Sequence, residues 1–408
     1  MATNLVSFYT ENTLALKGEN FVNRLEKDYP RPFVSLNKVL SPEYLYDLKE
    51  KGLFQDDFVN ILNMFTLFRT VSIQQAAQFL LPQYTEEAHV FVAKLFARLY
   101  YLHFLHVIDI EDKQKKNLAL YPLPSMSFIL GPAGARYISS VKNQSLAEIG
   151  WKKDSILTEQ KYGMHNIIVT EIIIRLTNLI RLLLMIPGIG VELDGVGEWD
   201  GRIFPKGTTG GKKVLARPDY TFRVRYQEGD TAISRSYFLE YDNGTESNDI
   251  LLKKLADYQL AYSAGHFHLG SPASTSLLFV FNDSKRATRF YWSAVNRLKK
   301  ELLPSLKRIY ITTLDSIYQS GFFCRDWLSI DTNADDIKKH KDDVAEDSRK
   351  IVRESPFPEI TEKLEKHDLI SVFSGMYKDI SGYDEDHFLQ MELESFIMIR
   401  ELMFPPAK

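Results

Sequence analysis

Between Val191 and Thr312 the apolar residues switch repeatedly between a period near two and a period near 3.6, and this alternation limits the fold more than any other feature. Strands are expected at Val191–Leu193, Val214–Val224, Tyr237–Asp242, Ser276–Phe281 and Arg308–Thr312, with helices at Asp249–Tyr262 and Lys285–Leu302. A long helix from about His165 to Met185 precedes them, rich in isoleucine and leucine on several sides and therefore buried. Strands alternating with helices in this way form a mixed sheet covered by helices.

The N-terminal part carries a different pattern. Phe58, Ile61, Leu62, Phe65 and Phe68 fall at helical spacing and predict a helix over 56–69. Ser72 with Gln75 is a capping-box pair opening a short helix to Leu80, which Pro82 ends. Thr85 caps a third helix running to about Phe104, with Glu86 and Glu87 in its first turn. Its apolar side includes Val92, Leu95, Leu99 and Leu102, and its polar side offers His89, Lys94 and Arg98. A strand His106–Ile110, a turn with Lys113, Lys115 and Lys116, and a strand Leu118–Tyr121 complete the order of a winged helix-turn-helix. In such a module the third helix enters the major groove and the wing lysines reach the flanking backbone. The plainer account is a three-helix protein-interaction module with a solvated charged hairpin. A further helix is expected near Pro132–Val141.

The expected organisation is an arm over residues 1–50, a winged-helix domain over 51–145, an α/β domain over 160–330, a charged linker over 331–355 and an acidic helical appendage over 356–408. Charge follows that division. Residues 331–408 hold 19 acids against 11 bases, the remainder 34 against 39, so a mildly basic body carries an acidic end. The lone Cys324 excludes an intrachain disulfide and a thiolate zinc cage, and it suits a reducing compartment. Met1–Lys17 does not read as a signal peptide, and the stretch Leu179–Ile189, interrupted by Arg181 and Pro187, is too short to span a bilayer. A cytoplasmic protein with no membrane partner is expected.

The residues that can carry chemistry gather in the α/β part. Asp219, in Arg217-Pro218-Asp219, precedes Glu240 and Asp242, which lie two apart on one strand and so project to one side. If Asp219 lies on the neighbouring strand, three carboxylates converge, the hard oxygen donors that Mg²⁺ or Mn²⁺ prefers. Such an ion polarises a phosphodiester and activates water. Lys253 and Lys254 follow on the next helix.

These residues resemble the Pro-Asp … Asp/Glu-x-Lys core of restriction-endonuclease-like nucleases. The resemblance implies Asp219 and Glu240 as metal ligands, beside which strand alternation sets Asp242 as a third candidate, and Lys253 or Lys254 as the catalytic lysine, with Glu171 on the preceding helix. Asp242 stands where the motif has its lysine, which leaves open a degenerate nuclease fold that only binds DNA. A wider pattern resembles the replication-relaxation family over roughly residues 55–330. It comprises the helix-turn-helix, Phe128 to Tyr137 (FILGPAGARY), His165, Arg217-Pro218-Asp219, Phe238 to Glu246 (FLEYDNGTE), Lys253-Lys254-Leu255 and Tyr258. That resemblance implies a bacterial DNA-binding protein of plasmid or mobile-element replication or relaxation, either a Mg²⁺-dependent nuclease or nickase or a non-catalytic regulator. The implied partners are double-stranded DNA, replication or plasmid-maintenance proteins, and a second copy of the chain.

Other features carry less. His266-Phe267-His268 has the form of a relaxase metal motif but is expected in a loop. Gly207–Lys213 lacks the spacing of a phosphate loop. Lys285–Arg308 holds eight bases, Arg286 and Arg289 among them, against the single acid Glu301. With Phe290, Tyr291 and Trp292 packed beneath, part of this helix is expected to contact DNA phosphates.

Overall fold

The computed structural model describes residues 30–81, 85–108, 126–152, 155–184, 190–205, 214–228, 231–267, 269, 274–301, 308–331, 352–366 and 385–405. The chain is mixed α/β and divides into two compact units, residues 1–174 with 381–408, and residues 175–380.

The first unit begins with α1 (Leu36–Val39), α2 (Pro42–Glu50) and α3 (Asp56–Met64), followed by strand β1 (Val71–Ser72), α4 (Ile73–Leu80) and α5 (Glu86–Tyr101). The predicted helix over 56–69 therefore stops at Met64, and Phe65 and Phe68 stay buried from a turn that leads into β1. The capping box forms as expected: the Ser72 hydroxyl accepts from Gln75 N–H at 3.1 Å and the Gln75 amide accepts from Ser72 N–H at 3.1 Å. Thr85 caps α5 by accepting from Ala88 N–H. That helix ends at Tyr101, earlier than expected, because His103 turns back with φ of 62°. Here the chain passes tightly against α6 (Pro132–Lys142): a Cβ at Gly134 would lie 2.3 Å from the Phe104 carbonyl oxygen.

Strands β2 (Leu105–Ile108) and β3 (Ser127–Leu130) pair antiparallel, and β3 also pairs with β1, giving the sheet order β1-β3-β2. The predicted strand Leu118–Tyr121 and the lysines at its turn lie outside the described residues. Helix α7 (Ser155–Leu183) starts ten residues before the apolar run that predicted it, and the unit boundary falls within it.

The second unit is a seven-stranded sheet. Its elements are β4 (Gly190–Gly197), β6 (Tyr220–Glu228), β7 (Thr231–Asp242), α8 (Asn248–Ala264), β9 (Thr275–Phe281), α9 (Ser284–Glu301), β10 (Arg308–Thr313), α10 (Leu314–Ser320), β11 (Trp327–Asp331), β12 (Arg353–Glu354) and α11 (Pro358–Lys366). The order is β12-β11-β10-β9-β7-β6-β4. Strands β4, β6 and β7 form an antiparallel meander, while β7, β9 and β10 run parallel through the crossovers α8 and α9. A separate pair, β5 (Phe204–Pro205) with β8 (Gly265–His266), lies beside them in sequence. The expected strand Val214–Val224 is corrected to start at Tyr220: Pro218 has no N–H for a ladder, and the segment before it pairs through the isolated bridge Ile203–Ala216 rather than a continuous ladder.

Alternation along β7 explains the packing. Phe238 faces α8 and α9 and joins Leu255, Tyr258, Leu277, Phe279, Phe290, Ile309 and Ile311 in one buried cluster. Tyr237 faces the other side, its ring 4.8 Å from Phe357 and 5.0 Å from Phe222.

The C-terminal residues do not form an appendage of their own. Residues 352–366 complete the second unit, and α12 (Glu385–Met403) belongs to the first. There Phe396 packs against Tyr100 and Phe128, and the buried Glu392 carboxylate meets His89 Nε2 at 2.9 Å and accepts from Met126 N–H at 2.7 Å. His89, expected on the polar face of α5, is thus fully buried, because α12 supplies its partner.

Candidate functional site

The site is built on the pairing of β6 with β7. Tyr220 pairs with Leu239, so the next step of the antiparallel register sets Asp219 opposite Glu240. Two hydrogen bonds fix that step: Asp219 N–H donates to Leu239 O at 3.0 Å, and the Asp219 carboxylate accepts from Tyr241 N–H at 2.8 Å. Glu240 shares the face of Phe238, beneath α8, and is 3% exposed. The next helix is held by Ser247, whose hydroxyl accepts from Ile250 N–H and caps its N-terminus. Lys254 and Tyr258 lie four residues apart on α8, one turn of helix, so both reach the same carboxylate. Lys254 Nζ donates to Glu240 Oε2 at 3.1 Å, and Tyr258 OH donates to Oε1 at 2.5 Å. Lys254 also meets Glu246 at 3.0 Å.

Electrostatics follow from burial. Loss of solvent pushes the Glu240 carboxyl up to about 7; Lys254 opposes this and Asp219 adds to it. Burial by itself lowers the proton affinity of Lys254, but Glu240, Asp219 and Glu246 outweigh it and hold the ammonium charged. One half-buried cation thus serves three carboxylates.

Asp242 takes a separate partner. Arg286 on α9 donates to it through Nε and, at 3.0 Å, through Nη2, and also reaches the Glu246 carbonyl. Gly244 N–H donates to Asp242 Oδ1 at 3.2 Å, with Gly244 at φ +87°, a conformation natural to glycine. The Arg286 contacts tie the turn between β7 and α8 to α9. Among the described residues, no group of three His, Cys, Asp or Glu side chains is arranged to hold one metal ion. Asp219 and Glu240 come together with Lys254, whereas Asp242 sits on the same strand face in an ion pair.

The other expected residues are placed as follows. Lys253 is exposed on α8. Glu171 lies in the first unit, where Gln75 Nε2 donates to it at 3.2 Å. On α5, Lys94 is half-buried, and Arg98 donates to Gln55 at 2.6 Å. Arg289 is exposed on α9; Lys113, Lys115 and Lys116 fall outside the described residues. His266 lies in β8 rather than a loop, and Phe267 stacks on Phe238 at 5.3 Å. The pairing of Arg286 with Asp242 was missed from sequence, since 44 residues separate the two and nothing local marks the contact. Tyr258 had a signal in its spacing from Lys254.

No described helix is long and apolar enough to cross a membrane. No curated protein and no solved structure is significantly similar to the chain. Residues 68–270, spanning β1 to β8 and including Asp219, Glu240, Asp242, Lys254 and Tyr258 but not Arg286, match the family model described as Replication-relaxation, and the chain belongs to that family.

Proposed function

We propose that the chain acts on DNA in plasmid or mobile-element replication or relaxation, with Asp219, Glu240 and Lys254 forming a metal-dependent phosphodiester-cleaving site in a restriction-endonuclease-like unit. The observation that carries this reading is the placement of Asp219 directly across from Glu240, with Lys254 on the second carboxylate. The donor set suits a hard cation: Mg²⁺ commonly takes one or two protein carboxylates and completes its shell with phosphate oxygens and water. Asp219 and Glu240 would hold Mg²⁺ or Mn²⁺, which when bound supplies Lewis-acid polarisation of a phosphodiester and a more acidic water. Lys254 restrains Glu240 in one rotamer and offers positive charge beside it. Tyr258 satisfies the other Glu240 oxygen from the buried side.

The first unit supports duplex DNA as the partner. The order α3-β1-α4-α5-β2-β3, with sheet order β1-β3-β2, supports reading this part as a winged helix-turn-helix. Exposed Glu86 and Glu87 at the start of α5 disfavour phosphate there, so its contacts fall to Lys94 further along.

A second reading has its own support. Both Glu240 oxygens are already engaged, and Asp242, bound to Arg286, stands in place of the motif lysine. These contacts favour a non-catalytic DNA-binding regulator that keeps the nuclease fold. Incubation of full-length protein with supercoiled plasmid and Mg²⁺ or Mn²⁺ separates the two. Relaxed or linear product from wild type, absent with chelator and with Glu240→Ala or Lys254→Ala, is expected. Plasmid left intact by protein that still binds duplex hands the function to the second reading.

A further inference from the structure

A second constellation lies two residues upstream of Asp219. The isolated antiparallel bridge Ile203–Ala216 clips two segments together, with Ile203 N–H donating to Ala216 O at 2.8 Å. Ile203 and Ala216 point into the core, at 1% and 7% exposure, and so turn their neighbours outward. One step along the register, Arg202 lies opposite Arg217. Both guanidinium groups rest on the half-buried Trp199 ring, Arg202 at 4.8 Å and Arg217 at 4.6 Å from its centroid.

Like charges directly opposite on paired strands destabilise the pairing. Here the indole face attracts both cations, the Trp199 carbonyl accepts from Arg202 Nε at 2.7 Å, and Glu198 pairs with Arg217. These contacts hold two planar donors side by side, Arg202 half-buried and the Arg217 side chain 40% exposed, the latter on the chain segment that leads directly into Asp219. Fork-shaped donors fit phosphate oxygens, and the outward guanidinium planes accept unpaired bases by stacking.

We propose that Arg202, Arg217 and Trp199 form a binding site for the phosphodiester backbone of an unpaired nucleic-acid strand, seating it beside Asp219 and Glu240. The proposal rests on the phosphodiester-site reading for its biological purpose, but its test needs no cleavage. Phosphate contacts fix the register of a strand, so this pair sets which phosphate lies over the carboxylates.

The test is binding of a short fluorescein-labelled single-stranded DNA oligonucleotide to full-length protein with chelator present, followed by anisotropy and by intrinsic tryptophan fluorescence. Wild type should bind with quenching that Trp199→Phe diminishes. Arg202→Gln and Arg217→Gln should each weaken binding roughly five- to tenfold and lower the log–log salt slope by about 0.7, the value for one phosphate contact on a single strand. An oligonucleotide with abasic positions should bind several-fold more weakly, having lost the bases that stack on the guanidinium planes, and equal affinity would overturn the preference for an unpaired strand. Wild-type affinity and slope in both arginine variants would overturn the site. So would full competition by inorganic phosphate at the concentration of oligonucleotide phosphates, which would mark a free-anion site instead. If Trp199→Phe alters the fold, as its melting curve would reveal, the two arginine variants decide alone. Loss of plasmid cleavage with strand binding intact would count against the nuclease reading and leave this site standing.

Discussion

Glu240 makes the stability of the second unit depend on pH in an unusual direction. Its carboxyl is buried and titrates near 7 in the folded chain, against an ordinary value of 4.5. A group whose proton affinity rises on folding contributes stability that is fully present below its unfolded value and is lost as pH climbs through the folded one. The window therefore runs from about pH 4.5 to just above 7. At 1.36 kcal/mol per unit, the difference between the two values amounts to about 3 kcal/mol. For a unit of this size that is on the order of 10 °C in melting temperature. Thermal melts in chelator from pH 5 to 8.5 should show that decline. Glu240→Gln, which stays neutral and can still accept from Tyr258, should flatten it while remaining folded at pH 5. Equal pH slopes for wild type and Glu240→Gln would refute the reasoning and show that Lys254 keeps Glu240 ionised throughout.

Two further perturbations test the packing of each unit. Arg286→Ala leaves Asp242, whose side chain is 2% exposed, as a buried charge without its main partner, and should cost about 3–5 kcal/mol in urea unfolding. Arg286→Lys should recover part of that, and a loss under 1 kcal/mol for the alanine variant would show that solvent reaches Asp242. In the first unit, Glu392→Ala strands both His89 and the Met126 N–H, again at about 3–5 kcal/mol, read from the urea midpoint with fluorescence on unit-one probes. A midpoint unchanged from wild type would place α12 outside the cooperative core.

What could be read from sequence was what short-range physics decides. Ser72 with Gln75, and Thr85, act on N–H groups three residues away, so their caps were visible. The period of two along β7 set Glu240 and Asp242 on one side, and the β6–β7 meander brought Asp219 across from Glu240. Longer-range pairings left no local trace. The two-residue strand β1 exists because β3 pairs with it across more than fifty positions. The polar look of His89 was misleading because its partner is 303 residues away, and Asp242 read as a metal ligand until Arg286 was seen to hold it. The early start of α7, at Ser155, likewise has no apolar period of its own to announce it.

The split of the first unit between residues 1–174 and 381–408 bears on how the protein is made. During synthesis the N-terminal part of the first unit leaves the ribosome long before α12, and the whole second unit emerges between them. Until α12 arrives, His89 and the aromatic surface of Tyr100 and Phe128 lack their cover, so the early segment must persist as an incomplete core. Contacts this distant in sequence carry a large loop-closure penalty and form late. The second unit, continuous in sequence, folds while the first waits, and the nascent chain acquires its seven-stranded sheet before the first unit is finished. Completion of the first unit is thereby tied to completion of α12, and a product cut short before α12 exposes an apolar face that chaperones and proteases recognise.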